Sequence, residues 1–525
     1  LDDVSLMITP NGVAEDVLFG VLPQPIIGTE LVTNGDFATD SDWTIVNNTG
    51  TDSEITGGYL RIKTDGANTD VTQTNVTVAE KQYKLVYTVL SSDGGNLAVI
   101  TIGNIASSIP SSVGTHTYYF TAHSTSFVLK RKSGALDVKL DNVSVREYTS
   151  ADMDFTRATT ATKVNSAGLV ASVAIGIPRL DFTGGGCPHI LSEPNRTNLL
   201  DDGNAAASLT GVTVTNTTSP DGTANALKLT ETTANSQHYA IISEASVSSG
   251  SVYTMSIFVK KGTRSSALIY TQSSKINSNI TVDLDAGSVV VGGTDIVSGS
   301  GTISNYGNGW YRVSWSGTAN SSGGMFIYAP VLNLTTYTGS TSEYTEYFGG
   351  QVELASYATS YIPTSGSTVT RNSDIFTRTG IADLINSAEG VLYVEIAALA
   401  DDQTGRKISL NDGTRNNSVL IGYTSVSNEI KTKVNSGGSS TANMNFTATD
   451  ILSYIKIAIK WKVNDFAMWV NGVEVVTDNS GAAPIGLTKL SFDRGDGAEN
   501  FRGKVRNLQV YKTALSDTQL DDLTS

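Results

Sequence analysis

Apolar residues recur at every second position in short runs along most of the chain. In Tyr83-Lys84-Leu85-Val86-Tyr87-Thr88-Val89 the odd positions carry Tyr, Leu, Tyr and Val, and Ala226–Thr230, Tyr253–Lys260 and Tyr454–Trp461 repeat the rhythm. A period of two marks a strand that buries one face. Between the runs lie Gly, Asn, Asp and Ser, the residues of tight turns. Asn471-Gly472, between Phe466–Val470 and Val473–Val476, predicts a hairpin with positive φ at both central residues. A short terminal helix is predicted by Ser516 and Gln519 as a capping box, with Leu515 and Leu520 as its hydrophobic staple. The chain therefore reads as all-β, a series of two-layer sandwiches closed by a small helix that lies on the last of them.

The pattern divides the chain. Leu1-Asp2-Asp3-Val4-Ser5-Leu6 is echoed by Leu140-Asp141-Asn142-Val143-Ser144-Val145. If the second copy closes a module, the first is the last strand of an upstream one, and residues 1–30 are its end plus a connector. Chance similarity between two short strands is the other reading. Residues 31–148 form the first complete sandwich, 149–192 a connecting β segment packed on its neighbours, 193–374 a second sandwich and 375–525 a third.

Composition narrows the chemistry. The 525 residues carry 35 Lys and Arg against 50 Asp and Glu, a formal charge of −15, with no basic run. A nucleic-acid backbone would be repelled, so a nucleic-acid partner is not expected. No apolar run is long enough to span a bilayer as a helix, and membrane insertion is not expected either. The lone cysteine, Cys187, rules out an intrachain disulfide. His116, His123, His189 and His238 show no zinc-site spacing. Cys187-Pro188-His189 has no orienting partner in sequence and reads as a packed thiol beside a turn. Candidate carboxylate pairs such as Glu343 with Glu346, or Glu353 with Asp374, are a weak hydrolase signal in so acid-rich a chain.

Three stretches resemble known families. Leu31-Val32-Thr33-Asn34-Gly35-Asp36-Phe37, followed by Trp43 and closed by Leu140–Val145, resembles carbohydrate-binding-like jelly rolls of phage structural proteins and secreted glycan-degrading enzymes. That resemblance implies a jelly roll and, in some members, a structural calcium; the matching residues are Asn34, Asp36 and Asp141. The same residues also serve, without an ion, as a turn and a hydrogen-bond acceptor. The segment Glu193-Pro194-Asn195-Arg196-Thr197-Asn198-Leu199-Leu200, with Phe155–Ala158, Gly309–Ser314, Gln351–Leu354, Ala358–Thr364 and Thr370–Asp374, looks like a phage tail or appendage module. From about residue 385, Trp469-Val470-Asn471-Gly472 and Val510–Ser516 resemble concanavalin-like, laminin-G-like sandwiches, whose members commonly bind glycans.

The resemblances together imply tandem jelly-roll and concanavalin-like sandwiches in a virion appendage, extracellular, assembled with other virion proteins and homo-oligomeric, with a trimeric fibre, another ring and a capsid-attached decoration all left open. Host surface polysaccharide is the expected ligand, and the expectation leans against an enzyme. A polysaccharide-degrading enzyme with accessory binding modules and a purely structural scaffold are the alternatives. Sugar binding asks for exposed rings, and Trp43, Tyr59, Trp310 and Tyr423 are the glycan candidates. Asp412-Gly413 and Asp493-Arg494-Gly495-Asp496 are further ion-loop candidates that serve equally as solvated turns.

Overall fold

The computed structural model describes residues 4–10, 18–21, 26–149 and 154–525. The chain separates into two compact units, one of residues 21–151 and the other of residues 1–20 with 152–525. Both are built from antiparallel sheets.

In the smaller unit the strand Gln82–Thr101 alternates as its sequence dictates: Tyr83, Leu85, Tyr87 and Val89 are buried, and the residues between them face outward or lie half-buried. It pairs with Phe127–Thr149 over nearly its whole length. The register between them breaks four times, at Arg131/Ser133, Ser133/Leu136, Lys139/Leu140 and Asp141/Ser144. Such bulges bend a strand and increase its twist, which lets one long strand serve both layers. Leu60, Ile62, Leu129, Val138 and Leu140 meet the Tyr83 face in one core.

The larger unit holds two sandwiches. In the first, one six-stranded sheet is centred on Val252–Lys260 and Tyr344–Glu353, the other on Tyr239–Val247 and Gly323–Pro330. Met255, Ile257 and Val259 of one sheet share a core with Ile242, Ile327 and Ile269 of the other. Trp315 is enclosed with them.

The last sandwich is assembled from three parts of the chain. One sheet runs Leu180–Asp181, His189–Ser192, Gly503–Tyr511, Glu389–Ala398, Ile455–Lys462, Phe466–Val470, Val473–Asp478. The opposing sheet runs Asp154–Thr156, Ile375–Arg378, Lys489–Ser491, Arg406–Asn411, Ser418–Tyr423, Glu429–Ser436, Ser439–Thr447. The expected connecting segment 149–192 thus supplies edge strands to both sheets of this sandwich.

The reading of residues 1–30 as the end of an upstream module needs correction. Val4–Pro10 pairs antiparallel with Gly503–Tyr511, and Leu6 and Ile8 are buried in the C-terminal core. Ser5 donates its hydroxyl to the Leu384 and Val510 carbonyls at 2.6 and 2.9 Å. Alternation reports that a strand buries one face, not which sheet receives it. Leu1–Asp3, the first half of the repeated motif, lie outside the described residues.

Local signals are met closely. Asn471 and Gly472 have φ of 48° and 80°, as the hairpin between Phe466–Val470 and Val473–Asp478 requires. The helix Asp517–Thr524 carries both halves of the Ser516/Gln519 capping box. Leu515 and Leu520 are buried with Tyr393, Trp469 and Tyr511, so the helix is fastened to the last sandwich.

Candidate functional site

The Glu193–Leu200 motif builds a sealed ionic cluster inside the larger unit. Asp374 receives Arg157 at 3.0 Å and also binds Arg179; Arg179 and Arg371 reach Glu193 at 2.6 and 2.8 Å. All five residues are almost wholly buried. Glu193 also accepts the Ser360 amide at 2.7 Å. Burial opposes charge on Glu193, but Arg371, Arg179 and Ser360 outweigh it and hold the carboxyl below its ordinary range. Asn198 spends its amide on the Gly350 and Ile362 carbonyls and the Val352 and Leu200 amides. Through Glu193 and Asn198 the motif is a clasp that closes this unit, while Asn195 stays exposed.

The proposed calcium residues lie at the seam between the opening loop and the closing strand, where the Val143 amide donates to Gly35 O at 2.8 Å. A Cβ on Gly35 would fall 2.0 Å from Val143 O, so only glycine permits this approach. Each candidate ligand is spent on its own turn. Asn34 donates to the Thr39 and Ser41 carbonyls at 2.7 and 2.9 Å, Asp36 accepts the Ala38 amide at 3.4 Å, and Asp141 accepts the Asn142 amide at 2.7 Å. Among the described residues no group of three or more acidic, His or Cys side chains is gathered for a metal. In this structure the three residues serve the hydrogen bonds of their own turns. The Asp412 and Asp493–Asp496 loops behave alike: Asp412 caps Thr414 at 2.9 Å, and Arg494 pairs with Asp496 at 2.9 Å and Glu499 at 2.6 Å.

Two of the four aromatic candidates need correction. Trp310 and Tyr423 are each only 1% exposed. Trp310 donates to Thr218 O, and Tyr423 stacks on Phe501 at 6.2 Å within the core. Trp43 is half-buried against Phe37 and Phe127, with its indole N–H on Asn34 O. Tyr59 is half-buried beneath the Lys139 ammonium, 4.5 Å from the ring centroid. Tyr423 falls in phase with the core residues Val419 and Ile421, and Trp310 packs with Phe258 and Phe348 in a smaller cluster. Cys187 is exposed, contrary to the packed thiol expected, while His189 is buried 3.6 Å from Asp181 with its pKa pulled down to about 4 by that burial.

An open cleft of about 570 Å³ lies instead on the outer face of the last sandwich. Three neighbouring strands form its floor, and their alternation decides what faces it. In Glu429–Ser436 the residues Ile430, Thr432 and Val434 point inward, leaving Lys431, Lys433 and Asn435 on the cleft side. In register across the sheet, Lys407 and Lys431 flank Gly422, while Lys433 stands beside Leu420. Arg415, from the turn after Arg406–Asn411, and Arg494 complete the basic lining.

Most of these cations lack internal partners. Arg494 is neutralised by Asp496 and Glu499. The buried Lys407 ammonium donates to Tyr423 O. Among the described residues, the side chains of Arg415, Lys431 and Lys433 have no ion pair or hydrogen bond. Burial, with Lys431 and Arg494 nearby, pulls the pKa of Lys407 down to about 8 despite Glu499 and Glu429. Burial and repulsion from Lys431, Arg415 and Arg494 lower that of Lys433. Glu499 is the one carboxylate lining the cleft, so these residues do not supply the two-carboxylate geometry of glycoside hydrolysis. The sequence signal for this site was the pair Lys431 and Lys433 on one strand face; Lys407, Arg415 and Arg494 join them only through the fold.

No protein-family model matches the sequence, and no curated protein matches it. Solved structures do. The CBM40 module of Ruminococcus gnavus IT-sialidase bound to α2,3-sialyllactose is 17% identical, covering 27% of this chain and 86% of its own, at a TM-score of 0.25. A heptameric SAP-like pentraxin from Limulus polyphemus is 17% identical over 26% of this chain and 70% of its own, at 0.23. The Trypanosoma rangeli sialidase in complex with 2,3-difluorosialic acid is 9% identical over 93% and 84%, at 0.22. The likeness is one of fold, the antiparallel β-sandwich that the sheets themselves show. The expectation against an enzyme is corrected at this point. Sialidases stand among the matched structures, and a fold found in both binding modules and enzymes gives no ground for excluding catalysis. Among the described residues no helix is long and apolar enough to cross a membrane.

Proposed function

We propose that this chain recognises carbohydrate through the cleft on the outer face of the C-terminal sandwich. One observation carries the reading: an open, polar concavity on a sheet, lined by Arg415, Lys431 and Lys433, whose side chains make no ion pair or hydrogen bond among the described residues. Binding sites generally pair such a concavity with a few fixed polar groups. The resemblance of the motifs in 151–374 to a phage tail or appendage module supports the further reading that the chain serves in a virion appendage, where an oligomer would multiply weak contacts with host surface polysaccharide. Structural calcium at the Asn34, Asp36 and Asp141 seam is a separate proposal, set against the hydrogen bonds those residues already make.

The test is binding of the full chain to a panel of surface polysaccharides, scored together with the release of new reducing ends. Saturable binding weakened by substitutions in the cleft is the expected result. Binding accompanied by chain scission would assign the polysaccharide-degrading reading, with the cleft as an accessory site. Failure to bind any polysaccharide would leave the scaffold reading.

A further inference from the structure

The cleft specifies its ligand more narrowly than its fold does. We infer that the polysaccharide it takes is acidic, a chain bearing several carboxylate or sulfate groups that meet Lys407, Arg415, Lys431 and Lys433 together. The inference rests on the glycan reading of the cleft and names the chemistry of the glycan.

Charge is the first argument. Basic residues are the minority in this chain, 35 against 50, yet the cleft gathers five with a single carboxylate. Arg494 is balanced by Asp496 and Glu499, which leaves Arg415, Lys431 and Lys433 facing one opening without a carboxylate of their own, beside the buried Lys407 that donates to Tyr423 O. Burial and then repulsion from Lys431, Arg415 and Arg494 lower the pKa of Lys433 despite Glu499, and an anion bound among them would offset that repulsion.

The second argument is the missing ring. Neutral sugars are commonly held by stacking on an aromatic plane, and no aromatic residue lines this cleft. Tyr423 lies on the core side of the same sheet. A sugar held here must be held by its charges and by the amides and hydroxyls of Asn416, Asn435, Thr424 and Ser440. The same lack of rings removes the platform that single-stranded nucleic acid uses.

Spacing is the third. Lys407 and Lys431 sit two strands apart, roughly 9–10 Å between backbones, and Lys431 and Lys433 two residues apart, roughly 6–7 Å. One small anion meets one or two of these groups; a polymer with repeated acidic units meets them all.

Four probes test this with the full chain: polygalacturonate, dextran sulfate, neutral dextran and a single-stranded oligonucleotide. The expected result is binding of one or both acidic polysaccharides at least tenfold tighter than dextran, and comparison of those two identifies the anion. The double variant Lys431→Gln, Lys433→Gln should lose about a hundredfold, roughly tenfold per charge-assisted contact, with unchanged unfolding. Lys431→Arg with Lys433→Arg should retain binding. Dextran bound as tightly as the acidic polymers would overturn the inference while the glycan reading stands. No polysaccharide bound would overturn both. An oligonucleotide bound as tightly, with the same loss in the double variant, would overturn the glycan chemistry in favour of a general polyanion site.

Discussion

Two basic clusters in the larger unit are opposites in how their charge is met. At the clasp, Arg157, Arg179 and Arg371 are enclosed with Asp374 and Glu193. At the cleft, Lys431, Lys433 and Arg415 face solvent without a carboxylate partner. The first arrangement fixes the architecture, because every buried charge needs its complement within hydrogen-bonding reach. The second leaves charge available for something else. The sequence motif marks the first; the fold alone reveals the second.

The largest effect should fall at the clasp. Asp374→Asn leaves Arg157 and Arg179 buried without their shared carboxylate, an expected loss of about 3–5 kcal/mol in denaturant unfolding. Lys433→Gln should stay within about 0.5 kcal/mol of the parent. Similar losses in both would erase the contrast. Acid should act in the same direction as Asp374→Asn. Glu193 has its pKa lowered by folding, so its contribution is complete above its unfolded value of about 4.5 and is lost as pH falls below that.

Lys407 gives the next effect, with the opposite sign. Folding lowers its pKa from 10.5 to about 8, so the unfolded chain binds more protons between those values and stability rises with pH across that window. Lys407→Met should remove that rise, about 3 kcal/mol. Binding of an acidic polysaccharide should fall as pH passes upward through about 8, and this variant should flatten the fall. A wild-type profile unchanged from pH 7 to about 9 would remove Lys407 from the site.

Smaller effects probe the edges. Ser516→Ala should cost about 1 kcal/mol through the lost cap, read as easier proteolysis of Asp517–Thr524. Calcium addition should raise the melting temperature of the smaller unit if the seam takes the ion, and leave it unmoved if Asn34, Asp36 and Asp141 serve only their turns. A rise that saturates at one ion per chain would establish the seam as a calcium site.

The strands, the Asn471-Gly472 hairpin and the capped helix were legible because each depends on neighbouring residues. The partner of Val4–Pro10 was not, since alternation is silent about which sheet receives a strand. Trp310 and Tyr423 were misplaced as glycan candidates for a related reason. Ring type indicates capacity to stack, while exposure depends on which side of the strand faces the core. Lys431 and Lys433 carried a local signal in their alternation with Ile430 and Val434. Their meeting with Lys407, Arg415 and Arg494 depends on the sheet register and on loops far away in the chain.

Hydrogen–deuterium exchange of the full chain, with and without an acidic oligosaccharide, tests the central claim most directly. The account predicts added protection over 405–440 and 494–499, with none at Trp43 or Tyr59. Protection confined to the strand Tyr59–Thr64 or the loop around Trp43, with the cleft unchanged, would contradict it.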